Sequence, residues 1–365
     1  MNSSLNARLR VLHIHSSADV GGTELRAFQV AGRLKSKFDI AVLFHSRPGA
    51  MLDYYRQEGI PFWNVRFPWF WPALRHIHQF RPDLVHIFGP EVNVLWRPLL
   101  RFLGHRRLVG HTAGLSNFGE KPTWLRISLD RLTYKLLTVY VANSSRVAEQ
   151  LVSYGFDKDK LRVVRNGIVI PETLPASGAH QPPVVISVGN LRPVKGHRFL
   201  LDALRLLSER GIAFEARIIG EGPGRADLES LAQRYGIADR VRFLGAVENS
   251  AISAALHEGD VFALMSLSEG IPGAAMEAMA AGLPVVATQV GGMEELVTDG
   301  VDGYLVPLRD TAAAAGRLAA LLQQPSLRET MGRAAYAKVT KSFNLDNTVR
   351  EYEKLYSTTS LLAST

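Results

Sequence analysis

Short runs of consecutive apolar residues recur along the chain, separated by longer stretches in which apolar positions return every three or four residues. In the first half the runs are RVLHIHSS, DIAVLFHS, PFWNVRF, DLVHIFG, RRLVGHT, VYVANSS and LRVVRNG. In the second they are VVISVGN, FEARIIG, RVRFLGA, DVFALMS, PVVATQ and GYLVPL. They are β-branched and continuous rather than alternating, the pattern of strands buried on both faces of a parallel sheet. Segments between them, such as TELRAFQVAGRLKSK and RFLLDALRLLSERG, carry helical periodicity. This alternation predicts an α/β protein with doubly wound sheets. The rhythm breaks at IPETLPASGAHQPP, residues 170–183, which reads as a linker. A chain of 365 residues is longer than one core usually supports. The expected division is a first domain over 1–169, a second over 184–342 and a C-terminal segment over 343–365.

Composition narrows the chemistry. With no cysteine there are no disulfides, thiolate nucleophiles or cysteine-bound metals, and the chain suits a reducing compartment. The start, MNSSLNARLRVLHIH, lacks the apolar core of a signal peptide, and no apolar run reaches the roughly 18 residues of a membrane span. A cytoplasmic protein is expected. Its charge is uneven: residues 1–166 carry a net +12 and the remainder a net −4. Such asymmetry suits an anionic partner of the first half, nucleic acid or anionic lipid, although a solvated basic surface explains it equally well. RFPWFWPALRHIHQFRP (66–82) and WRPLLRFLGHRR (96–107) interleave aromatic or aliphatic residues with basic ones. In the second, Arg97, Arg101, Arg106 and Arg107 lie beside Trp96, Leu99, Leu100 and Leu103. Either segment suits an anionic membrane interface; core packing with solvated arginines is the competing reading.

Open α/β sheets bind ligands beyond the carboxyl ends of their strands, which filters the motifs. Five pass: Gly21–Gly22, His111, GNLRPVKG (189–196), GEGPG (220–224) and Glu269. In SLSEGIPGAAMEAMAAGLPVVATQVGG, Glu269 and Glu277 stand eight positions apart. On one continuous helix they would be about 12 Å apart along the axis and could not share one small ion. Gly270, Pro272 and Gly273 argue instead for a loop entering a helix, Pro272 at its first position, with Glu277 one turn inside. The N-terminus between the two acids is an anion site. Arg192 and Lys195 could clamp a diphosphate before the next helix. GEGPGR lacks the third glycine of a dinucleotide fingerprint, so Gly220 and Gly222 signal only a close backbone approach or a plain turn. The D-x-D of DKD (157–159) lies at the wrong end of its strand, and no other spacing suits a metal. His111 is by itself no more than a histidine at a strand end.

GGTE, VANSS, RNGI, GNLRPVKG, IIGEGPG, EGIPGAAMEAMAAGLPVVAT and GGMEELVTDGVDGYLVP together resemble the retaining glycosyltransferases of family 4. The resemblance runs along nearly the whole chain and is most specific around the two glutamates. It implies the GT-B fold, two Rossmann-like doubly wound parallel-sheet domains facing across a cleft, with a final helix crossing back to the first domain. It further implies a nucleotide-diphosphate sugar, UDP- or GDP-linked, held by the second domain, and an acceptor presented by the first. Glu277 would bind the ribose, Glu269 the donor sugar along the Gly270–Ile271–Pro272–Gly273 turn, and Arg192 with Lys195 the diphosphate. His111 matches the family's active-site histidine and Gly22 its glycine loop. Val169 after RNGI departs from the aspartate often found there. No cofactor, metal or nucleic acid is expected. The acceptor is expected to be a lipid-linked saccharide or other cell-envelope glycan, met at the inner face of the membrane. An epimerase or hydrolase on the same scaffold is the alternative.

Overall fold

All thirteen apolar runs form strands, the central ones buried along their length. The structure is a computed structural model and describes residues 8–112, 124–174 and 180–361. The first unit, up to Gly167, runs β1 (Arg10–His15), α1 (Gly22–Leu34), β2 (Asp39–Phe44), α2 (Met51–Gln57), β3 (Phe62–Asn64), α3 (Phe70–Phe80) and β4 (Leu84–Phe88). It continues with α4 (Pro90–Phe102), β5 (Leu108–Thr112), α5 (Trp124–Thr133), β6 (Val139–Ala142), α6 (Ser145–Ser153) and β7 (Leu161–Val163). The second unit, Ile168–Asn344, begins β8 (Val184–Val188), α7 (His197–Glu209), β9 (Glu215–Ile219), α8 (Arg225–Arg234), β10 (Val241–Gly245) and α9 (Asn249–His257). It ends β11 (Val261–Leu264), α10 (Gly273–Ala280), β12 (Val285–Thr288), α11 (Met293–Leu296), β13 (Gly303–Val306), α12 (Thr311–Gln323) and α13 (Pro325–Ser342). The last helix, α14 (Leu345–Leu361), belongs with the first unit.

Both sheets are wholly parallel and doubly wound. Their orders are β3-β2-β1-β4-β5-β6-β7 and β10-β9-β8-β11-β12-β13. Strand order reverses between β1 and β4 and between β8 and β11, which opens a crevice beyond the carboxyl ends of each pair. Central strands such as β4 and β5 are buried along their whole length, while edge strands β3 and β10 are only partly covered. One face of the first sheet packs Leu12, Ile14, Val85 and Ile87 against Ala73, Ile77, Trp96 and Leu100 of α3 and α4. The other packs Val11, Val42 and Val109 against Val30 and Leu34 of α1 and Tyr352 and Tyr356 of α14. That second contact is why α14 returns to the first unit.

The division between units falls at Gly167/Ile168, so segment 170–183 belongs to the second unit; residues 175–179 lie outside the described residues. The Ile168 N–H donates to the Phe343 carbonyl at 2.9 Å, and the Tyr336 hydroxyl donates to the Pro171 carbonyl at 2.6 Å.

One basic residue assigned to the membrane-facing stretch is not on the surface. Arg97 is fully buried, because its guanidinium donates to the carboxylate of buried Asp130 on α5 and to Thr133 Oγ1 at 3.2 Å. The Tyr140 hydroxyl donates to the other Asp130 oxygen at 3.0 Å, and its ring lies 4.8 Å from the guanidinium carbon. Trp96 and Leu100 are core residues. Removing one partner of such a pair strands a buried charge. Arg97→Ala is therefore expected to lower the unfolding free energy by about 3–5 kcal/mol in urea titrations. A loss below about 1 kcal/mol would mean that Asp130 finds another counter-ion.

Candidate functional site

The loops at the carboxyl edge of the second sheet touch one another backbone to backbone. Gly196, at φ +67°, ends a 3-10 turn (Pro193–Lys195); a β-carbon there would lie 1.7 Å from the Met265 carbonyl oxygen. Gly291, at φ +57°, would place one 1.7 Å from the Glu269 carbonyl oxygen. Both positions need the left-handed region and a vacant Cβ site, so only glycine fits. Gly220 and Gly222 make close approaches too, but to Gly189 and Leu191 of the same unit. Hydrogen bonds complete the interlock: Leu267 N–H to Val194 at 2.8 Å, Gly224 N–H to Leu191 at 2.9 Å and Gly292 N–H to Gly270 at 2.7 Å.

This scaffold brings Lys195 to Glu269, 74 positions away, with Nζ 2.7 Å from Oε1. The Ser266 hydroxyl donates to the same oxygen at 2.6 Å. The carboxylate is largely shielded, so the pair is worth more than a surface ion pair, and it fixes both side chains at the mouth of the β11–α10 loop. Pro272 is the N-cap of α10 rather than its first residue, and Gly273 opens the helix. Among the described residues no side chain caps this end. Its first N–H groups have no partner within the helix. Glu277 stands half-buried one turn along, and Arg192 is exposed on the β8–α7 loop. Ser266 and His197 were not legible as site residues; His197, at the start of α7, is buried beside Gly189 and Lys195, and burial pushes it down to about 4.

In the first unit Gly21 caps α1 and Gly22 opens it. A β-carbon on Gly21 would meet the Glu24 carboxylate, whereas one on Gly22 would meet nothing within 4 Å. His111 lies in β5 beside Phe88 and Val141 of its neighbours, fully buried, with Nδ1 3.0 Å from the Tyr352 hydroxyl of α14. Asn93 holds the His111 carbonyl at 3.1 Å. Three further histidines face the same layer. His13 and His86 are register partners on β1 and β4, at 3.0 and 2.8 Å from the Tyr356 hydroxyl. The His15 ring stacks on Phe88 at 4.5 Å. Burial lowers all four, His13 to about 3 and His111 to about 4, so all are neutral at pH 7. A separate cavity of about 360 Å³ lies past the ends of β1 and β2, lined by Ser16, Asp19, Arg47, Phe67, Leu95 and Trp96 among others. Asp157 of the DKD stretch caps the Asp159 N–H at 2.9 Å, a structural role.

Two family models divide the chain between them. Residues 20–170 match the model described as Glycosyltransferase Family 4, and residues 170–338 match Glycosyl transferases group 1. The chain belongs to glycosyltransferase family 4. WcaL of Escherichia coli K12, named for colanic acid biosynthesis, is 37% identical over 218 residues, 57% of this chain and 53% of that one. AmsK of Erwinia amylovora, an amylovoran biosynthesis glycosyltransferase, is 37% identical over 204 residues, 53% and 50%. The chain thus spans about half the length of the curated relatives it matches. In fold it is similar to Anabaena HepE solved with UDP-glucose (TM-score 0.85, 21% identity, covering 96% and 100%). The same holds for sucrose-phosphate synthase of Thermosynechococcus elongatus (0.81, 19%, 98% and 100%). The fold is GT-B, as family membership implies.

The lowered histidines take up protons only on unfolding, so their stabilising contribution is complete above the unfolded value of about 6.5 and is lost as pH falls below it. At pH 5.5 each costs about 1.4 kcal/mol, and the four together roughly 6 kcal/mol. His15→Phe should remove about 1.4 kcal/mol from the stability lost between pH 7.5 and 5.5; an unchanged loss would show that its buried ring does not contribute. Gly291→Ala should lower the melting temperature by many degrees, whereas Gly22→Ala should leave it within about a degree of the native chain. Activity lost with Gly22→Ala would then report the ligand's approach rather than a folding defect.

Proposed function

We propose that this chain is a retaining glycosyltransferase, moving a hexosyl group from a UDP- or GDP-linked sugar to a hydroxyl of a glycan under assembly for the cell envelope or an extracellular polysaccharide. The observation that carries the reading is the Lys195–Glu269–Ser266 cluster beside the uncapped first turn of α10, half a helix from Glu277. Relatives named for colanic acid and amylovoran biosynthesis support the product class, and the complexes of HepE with UDP and UDP-glucose support the donor class.

The chemistry follows from charge. Cleaving the bond between the anomeric carbon and the phosphate oxygen leaves a second negative charge on the terminal phosphate. Lys195, Arg192 and the α10 N–H groups lie at one sheet edge and stabilise it without reorganising, the condition under which such groups lower a barrier most. Glu277 takes the ribose hydroxyls, and Glu269, held by Lys195 and Ser266, receives sugar hydroxyls. The acceptor hydroxyl attacks on the face the phosphate leaves, and its proton passes to the departing phosphate oxygen, so the anomeric configuration is kept. The neutral His111 contributes hydrogen bonding and no charge. Hydroxyl, carboxylate and guanidinium groups beside the Phe67, Leu95 and Trp96 side chains make the 360 Å³ cavity suited to a saccharide acceptor. Cationic and helix-dipole stabilisation requires no metal.

Transfer is assayed with a panel of nucleotide sugars and lipid-linked acceptors, and the product anomer is read by NMR. Lys195→Ala is expected to lower kcat about 10²–10³-fold, the cost of losing one stabiliser of a developing charge. Chelator should leave the rate unchanged, and the anomer should be retained. Inversion, or strict loss of activity with chelator, overturns the mechanism.

A further inference from the structure

The two helical layers of the first sheet differ in what they show to solvent. Of twelve exposed large apolar side chains among the described residues of this unit, ten lie on α3, α4, α5 or the residues just before α3 and after α4. On α5 the inward face is Ile127, Asp130 and Thr133. Its outward face is Trp124, Leu125, Leu129 and Leu132, with Trp124 77% and Leu132 74% exposed. These four recur at helical spacing, so one face of α5 presents an apolar stripe to water, the reverse of an ordinary surface helix. The buried Arg97–Asp130 pair fixes α4 beside α5, and α4 ends in Phe102, 89% exposed, and Leu103. Trp69 and Trp71 stand exposed where α3 begins, so this layer displays three of the chain's five tryptophans.

Charge decides what covers it. Among the described residues from 92 to 148 there are eight Lys and Arg and a single acid, Asp130, which is buried against Arg97. Arg101, Arg106, Arg131 and Lys135 are exposed. At the border, Asp157 and Asp159 are outnumbered by Lys158, Lys160 and Arg162. The opposite layer is different: Arg33–Asp346, Lys35–Glu58 and Lys37–Glu353 balance one another there. A protein partner for so cationic a patch would have to bring both acidic groups and a matching apolar groove. A bilayer carrying anionic headgroups offers both along one plane, and tryptophan beside arginine and lysine is the composition of that interface.

We propose that the α4–α5 face, with Trp124, Leu125, Leu129, Leu132, Phe102 and Leu103 as its apolar surface and Arg101, Arg106, Arg131 and Lys135 as its basic flank, seats the protein on an anionic bilayer. The proposal deepens the reading of a lipid-linked acceptor but rests on vesicle binding, which needs no donor, acceptor or turnover. It relocates the membrane contact expected from the sequence, because Trp96, Arg97 and Leu100 are interior and α5 takes their place.

The test is co-sedimentation with phosphatidylglycerol–phosphatidylcholine vesicles against phosphatidylcholine alone, at 50 and 500 mM salt, with tryptophan emission as a second readout. The native chain should bind the anionic vesicles at least tenfold better, with a blue shift, and release at high salt. Trp124→Ser with Leu132→Ser should weaken binding at least tenfold and reduce the blue shift, while an unchanged melting temperature shows the fold is intact. Arg131→Gln with Lys135→Gln should weaken binding several-fold and lower its salt sensitivity. No binding to anionic vesicles at low salt, or binding indifferent to both variants, overturns the proposal. So does a dimer in solution that Trp124→Ser with Leu132→Ser converts to monomer, since a second copy would then cover the face.

Discussion

Backbone contact closer than a β-carbon allows is the constraint on which the second unit's site depends. The β8–α7, β11–α10 and β12–α11 loops meet at Gly196 and Gly291, where a β-carbon would lie 1.7 Å from a neighbouring carbonyl oxygen. Four separate pieces of chain are thereby held at one sheet edge, the β9–α8 loop joining through Gly220 and Gly222. The doubly wound order supplies the crevice; the glycines supply its depth. Without that interlock, Lys195 and Glu269 would be two long side chains on two mobile loops, and holding them together would carry the entropy cost that makes most exposed ion pairs worth little.

The two units solve opposite electrostatic problems. At the second sheet's edge, the opposite charges of Lys195 and Glu269 are held beside the uncapped N-terminus of α10 by the interlocked loops. Behind the first sheet's edge, four histidines are kept uncharged by burial, and three of them, His13, His86 and His111, are hydrogen-bonded to two tyrosines of α14. Helix α14 therefore does more than close the fold. It sets the position of His111, and its tyrosine hydroxyls supply partners for rings that would otherwise be costly to bury.

The sheets were legible because parallel strands buried on both faces leave runs such as DLVHIF and PVVAT that nothing else in a soluble chain requires. The second unit's site was legible for a related reason: filtering motifs by the carboxyl ends of strands needs only strand positions. What was not legible depends on partners distant in sequence. Lys195 meets Glu269 across 74 positions, and Gly220 packs on Gly189, so a glycine that signals close approach did not say to what. Arg97 reads as one more surface arginine until Asp130 is seen beneath it. The stripe on α5 went unread because a helix with apolar residues at i, i+4 and i+7 normally turns them inward. Only its packing through Ile127, Asp130 and Thr133 shows that it does not.

The account stands or falls on whether the interlocked loops bind a nucleoside diphosphate. Calorimetric titration of the protein with UDP and with GDP tests this directly. One of the two should bind at one site per chain, with affinity at least tenfold weaker in Lys195→Ala and in Glu277→Ala, and undiminished by chelator. Failure of both nucleotides to bind, or binding that neither substitution alters, would contradict it.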